Sequence, residues 1–151
     1  MDAWLFLITA ENLAKGQLES DRRTSVSRSY YGALNAILCS LRPHGGCPRR
    51  EYTHDLGQWL RACDDTNLRQ AGQKLGTLKS MRIDADYAMD KPEASFGAAQ
   101  TRMALREAKE ALRLFRTVSD KKAADRVRAY LGKTNQLDRL ESAVRIGRAP
   151  S

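Results

Sequence analysis

The chain has 151 residues, of which 42% are hydrophobic and 29% charged, a balance that fits a folded globular domain and excludes a disordered one. Lys and Arg outnumber Asp and Glu by 26 to 18, and the resulting +8 attracts phosphate backbones and other polyanions without specifying a fold. Three cysteines, Cys39, Cys47 and Cys63, make no paired framework and point to a reducing compartment, so a cytoplasmic location is expected.

The predicted elements are all helical. The first helix runs from Asp2, an N-cap residue, to Lys15, with Gly16 as its stop. Its apolar run at 4–8 is too short for a signal core or a membrane span and follows an acid, so no membrane association is expected. The run is apolar on nearly every side, so this turn is expected to be buried or covered by a partner. The second helix spans Ser20 to Leu41, with Val26, Tyr30, Ala33, Leu34, Ile37, Leu38 and Leu41 on one stripe. Arg28, Tyr31 and Asn35 line up on its flank. Two Pro and two Gly make residues 42–52 a loop, and a short third helix from Thr53 to Cys63 follows.

The fourth helix is expected from Asn67 to Ala88, ended by Lys91-Pro92. Its stripe is Leu68, Ala71, Leu75, Leu78, Arg82, Ala85 and Met89. Arg82 stands where the pattern asks for an apolar residue, and a charge there must be paired or must face a cleft or interface. Asp86, one turn later, is the local partner. The fifth helix is expected from Glu93 to Val118, with Leu105, Ala108, Leu112 and Phe115 inward. A sixth restarts at Ser119-Asp120 and stops at Gly132, and a last short one covers 135–146 through Leu137, Leu140 and Val144. Residues 120–148 carry eight Lys and Arg against four acids, a basic tail that is either an RNA-contacting arm or a solvated face. The expected fold is an all-α, antiparallel four- to five-helix bundle over 1–118, with a basic helical extension over 119–151 packed on it or trailing from it.

Three blocks carry a resemblance. Ser25-Val26-Ser27-Arg28-Ser29-Tyr30-Tyr31-Gly32-Ala33, then Thr53-His54-Asp55-Leu56, then Arg82-Ile83-Asp84-Ala85-Asp86-Tyr87 occur in this order. Residues 5–118 thereby resemble the small stand-alone prokaryotic proteins of the HEPN (higher eukaryotes and prokaryotes nucleotide-binding) superfamily. The resemblance implies a dimerising helical bundle that binds RNA or a nucleotide. It also implies toxin–antitoxin or defence systems and, as partner, a minimal nucleotidyltransferase. Many such proteins are metal-independent endoribonucleases working through Arg-x4–6-His. Here the matching arginine is Arg82, but the position five later is Tyr87, and no histidine follows His54. A tyrosine replaces the side chain that handles protons near neutral pH, while Arg82 retains its ability to hold a phosphate.

On that resemblance Arg82 and Tyr87 are the catalytic positions. Arg28, Tyr31, Asp86 and His54 are the substrate- or nucleotide-binding ones, with no cofactor. Two readings of the arginines stand side by side: substrate binding, or structural pairing of Arg28 with Asp84 or Asp86 and of Arg82 with Asp86. Tyr87 is alternatively a residue that receives a nucleotide from an operon partner. Arg49-x4-His54 also fits the nuclease spacing but straddles a loop and a helix start, where His54 caps or packs. Cys39, His44, Cys47 and His54 have zinc-ligand chemistry at spacings that match no usual knuckle, so no metal site is expected; Cys39 and Cys63 read as small buried hydrophobes. The alternative function is a non-enzymatic helical adaptor for a protein partner.

Overall fold

The structure, a computed structural model, describes residues 2–88 and 97–142. The fold is all-α. Six α-helices lie among the described residues: α1 (Ala3–Ala14), α2 (Glu19–Leu41), α3 (Leu56–Ala62), α4 (Thr66–Tyr87), α5 (Ala98–Arg116) and α6 (Asp120–Lys133). Short 3-10 turns occupy Arg42–His44, Arg50–Asp55 and Leu137–Arg139. The extended pairing among the described residues is an isolated bridge between Pro48 and Leu140. No helix among these residues is long and apolar enough to cross a membrane.

The chain divides into two compact units, Met1–Ala36 with Lys74–Leu112, and Ile37–Gln73 with Arg113–Ser151. The first unit is a ring of four helical segments, closed by specific contacts. The Ser25 hydroxyl on α2 donates to the Ala10 carbonyl of α1 at 2.6 Å. Gly32 lets α1 approach closely, since a β-carbon there would stand 2.9 Å from Leu7 Cδ2. Arg23 and Tyr31 of α2 reach the last turns of α4. Lys74 of α4 pairs with Glu107 of α5 at 2.9 Å, and Lys109 of α5 with Glu11 of α1. Buried residues of this unit include Leu7, Ala10, Val26, Tyr30, Ala33, Leu34, Leu75, Leu78, Ala104 and Ala108.

In the second unit Leu56, Trp59 and Leu60 of α3 and Ala123, Ala124, Val127 and Leu131 of α6 are buried. Gly46, in the loop ahead of α3, lets that loop come close to α6: a β-carbon on it would meet Ala124 at 2.7 Å. The segment 47–49 lies against 139–141, with the Arg49 N–H donating to the Arg139 carbonyl at 2.8 Å and the Glu141 N–H to the Cys47 carbonyl at 2.9 Å. The basic stretch after residue 119 therefore begins as a packed helix of this unit.

Several boundaries differ from expectation, each for a physical reason. The first turn of α1 is not buried within the chain: Trp4, Leu5 and Ile8 are exposed while Ala3, Leu7 and Ala10 face inward. Gly16 follows α1 without left-handed backbone. The third helix opens as a 3-10 turn and becomes α-helical only at Leu56. α4 ends at Tyr87, within one residue of the expected Ala88, and Arg23 caps its last carbonyls. Gly132 does not interrupt α6; one glycine costs about 1 kcal/mol against alanine, which packing of Val127 and Leu131 offsets. The chain turns instead at Asn135, whose φ is 58°. The described part of the expected 135–146 helix is one 3-10 turn followed by extended Leu140. Met89, Lys91, Pro92, Glu93 and Val144, with the start of the expected fifth helix, lie outside the described residues. Cys39 is exposed rather than buried, whereas Cys47 and Cys63 are buried.

Candidate functional site

The last turns of α4 and the middle of α2 run antiparallel, with Arg23, Ser27 and Tyr31 facing Ala88, Asp86 and Arg82 in turn. The spacing of four along α2 puts these side chains on one face. Arg23 is the anchor of this contact. It is only 8% exposed, and its guanidinium donates to the carbonyls of Ala85 at 3.1 Å, Ala88 at 3.3 Å and Asp84 at 3.4 Å. Its Nε donates to the Glu19 carboxylate at 2.6 Å. A helix leaves its final carbonyls without internal donors, and its C-terminus carries partial negative charge, so a buried guanidinium fits that end twice over. The end of α4, and with it Arg82, Asp86 and Tyr87, is held in place by this cap.

Arg82 lies on the inward stripe, as its spacing requires, with a side chain only 15% exposed. Its Nη2 donates to the Tyr31 hydroxyl at 2.8 Å. Its Nε is 3.0 Å from Asp86 Oδ2, close enough for an ion pair, yet it lies off the hydrogen-bond axis and this buried N–H has no aligned acceptor. Asp86 also takes a long contact of 3.5 Å from the Ser27 hydroxyl. Three rings surround the guanidinium, with centroids 5.3 Å away for Tyr31, 5.8 Å for Tyr87 and 6.0 Å for Tyr30. Tyr30 is core, and its ring tilts against Tyr31 at 5.2 Å. Tyr87 is the outward member, 70% exposed.

Arg28 is exposed on the flank of α2 that also carries Tyr31. Its guanidinium sits over the Phe6 ring of α1 at 5.2 Å. Among the described residues it has no ion-pair partner, so the expected pairing with Asp84 or Asp86 is not formed. The cluster thus holds two guanidinium groups against one carboxylate, with the uncompensated charge on Arg28. Such a set can hold an anion and stack planar groups.

The structure brings Arg28, Tyr31, Arg82, Asp86 and Tyr87 into the first unit, while His54 is in the second, exposed in the 3-10 turn 50–55. Near His54, Arg49 pairs with Glu51 at 3.1 Å, and Arg139 covers the Tyr52 ring at 5.0 Å. Among the described residues no group of three or more His, Cys, Asp or Glu is placed to hold a metal ion. Burial pushes the thiols of Cys47 and Cys63 up from an ordinary 9.0 to about 11.

Sequence reasoning missed Arg23, Ser27 and Phe6. The signal for the first two was present in the 23–27–31 spacing, but both are polar and an apolar stripe search passes over them. Phe6 carried no signal of its own among the neighbouring apolar residues. The chain matches no protein-family model, no curated protein and no solved structure.

Proposed function

We propose that this chain is a HEPN-type, RNA- or nucleotide-binding domain of a toxin–antitoxin or defence system, acting in the cytoplasm as a homodimer through Arg28, Arg82, Asp86 and Tyr87. The observation that carries this reading is Arg82, a charge set into an apolar stripe and ringed by tyrosines, with exposed Tyr87 beside it and exposed Arg28 three residues before Tyr31 on α2. A purely structural ion pair needs neither the exposed tyrosine nor the second, unpaired arginine. The order of the three sequence blocks and the +8 charge support the same reading.

In its enzymatic form the domain is a metal-independent ribonuclease in which Arg82 holds the phosphate and Tyr87 donates a hydrogen bond. The test incubates purified protein, chelator present, with total RNA and with tRNA, beside Arg82→Ala, and measures both affinity and cleavage. Binding that weakens steeply with salt and is lost in the folded variant is the expected result, because phosphate contacts release counterions. A protein with no affinity for RNA at low salt refutes it.

A second reading has its own observation. Trp4, Leu5 and Ile8 form an exposed apolar face on α1. In an adaptor, that face binds a protein such as a nucleotidyltransferase, and the association persists in high salt.

A further inference from the structure

The contacts of α2 divide its circumference. Ser25 and Gly32 face α1, and Arg23, Ser27 and Tyr31 face α4. Arg28 falls between these two faces at about 100° per residue, on the strip of α2 open to solvent. Aromatic and guanidinium groups therefore alternate across three helices: Phe6 of α1 under Arg28, then Tyr31, Arg82 and Tyr87.

The two stacks differ in what they leave free. Arg82 is tied to Tyr31 and drawn to Asp86. Arg28 lies over the Phe6 ring and is exposed, with no carboxylate claiming it among the described residues. A guanidinium backed by a ring loses freedom to swing, so it presents a flat cationic surface at little further entropy cost. Such a surface takes an unpaired base by stacking and a phosphate by its edge, as single-strand binding surfaces do. A duplex offers no free base faces there.

We propose that Phe6 and Arg28 form a base-stacking subsite next to Arg82, so that the site takes an unpaired stretch of RNA with one base on Arg28 and a neighbouring base on Tyr87. The inference rests on the RNA-binding reading and adds Phe6 as a positioning residue.

The test measures fluorescence anisotropy of a short unpaired oligoribonucleotide of mixed sequence, with a duplex of the same sequence, AMP and polyglutamate as competitors. The proteins are wild type, Arg28→Lys, Phe6→Leu and Arg82→Ala, each checked for native helicity and melting. Arg28→Lys keeps the charge and loses the plane. It is expected to weaken the unpaired oligonucleotide about tenfold, the scale of one lost stack, with the salt slope unchanged because the charge is kept. Phe6→Leu keeps apolar volume and is expected to act in the same direction on the oligonucleotide. The inference is overturned if Arg28→Lys binds the oligonucleotide as wild type does, or if duplex or polyglutamate competes equally well. Wild-type protein that binds no RNA overturns the underlying reading as well. Binding that needs Arg82 but ignores Arg28→Lys and Phe6→Leu removes the subsite alone.

Discussion

Removing the Arg23 guanidinium tests the account of how the site is held. In Arg23→Ala the carbonyls of Ala85 and Ala88 lose a buried charged donor, and the weaker contact to Asp84 at 3.4 Å goes with them. Both guanidinium contacts to Ala88 share one acceptor, so two effective bonds are lost. Hydrogen bonds to charged groups contribute about 1.5–3 kcal/mol each, and water entering the vacated space restores part of that. The Glu19 pair adds only a few tenths, because Glu19 is a third exposed. The expected loss is about 3 kcal/mol. With a urea slope of about 2 kcal/mol/M, the midpoint falls by about 1.5 M. Arg23→Lys recovers only part of this, since one ammonium nitrogen cannot reach all the acceptors that the guanidinium meets from three separate nitrogens. Hydrogen exchange adds a local readout: amides of the last two turns of α4 lose protection before those of α6. A loss under about 0.5 kcal/mol, the range of an ordinary surface substitution, refutes the capping role.

Other predictions follow from single contacts. Arg82→Ala should cost stability only modestly, about 1–2 kcal/mol from the partly exposed pair and the Tyr31 hydrogen bond, while abolishing RNA affinity in a binding assay. Gly76→Ala should stabilise α4 by about 0.5–1 kcal/mol, since nothing stands within 4 Å of the new methyl. Gly72→Ala should destabilise the protein by about 3 kcal/mol or more in thermal melts, because the methyl meets the Gly57 carbonyl at 2.5 Å and the Arg61 nitrogen at 2.6 Å. At pH 8 a thiol reagent should label exposed Cys39 quickly and leave Cys47 and Cys63 slow. These two thiols titrate higher in the folded state, so their contribution to stability is complete below pH 9.0. It is lost as the pH rises through about 11, and urea midpoints should fall across that window.

The stripes on α2 and α4 were legible because burial repeats with the helical period: Val26, Tyr30, Ile37, Leu68, Leu75 and Leu78 are all buried. Arg82 was legible for the same reason, as a charge within that period. What the period does not encode is which polar residue satisfies another helix's end. Arg23 acts on carbonyls 61 to 65 positions away, and nothing in its local pattern separates it from Arg22. The end of α4 is legible to one residue, Ala88 expected and Tyr87 observed, but the guanidinium that caps it is not. Gly132 was overweighted in turn, because packing on its own helix outweighs the weak propensity of one residue. Phe6 takes its meaning from the Arg28 side chain of another helix.

Asp86 separates the structural from the ligand-binding reading of the cluster. It stands 3.0 Å from Arg82 Nε and is 30% exposed, so it partly neutralises the cation that a phosphate needs. A phosphate on the far side of the guanidinium would lie about 7 Å from the carboxylate. The repulsion there is about 0.6 kcal/mol in water and about 2.4 kcal/mol at an effective dielectric of 20. If Arg82 holds phosphate, Asp86→Asn should therefore tighten RNA or AMP binding about fivefold, with a stability loss near 1 kcal/mol from the weakened pair. If Asp86 instead accepts a hydrogen bond from the base, the same variant weakens binding, and more for purines with an exocyclic amino group facing it. If the Arg82–Asp86 pair is only structural, stability falls and affinity does not move, and that result refutes a ligand role for both residues.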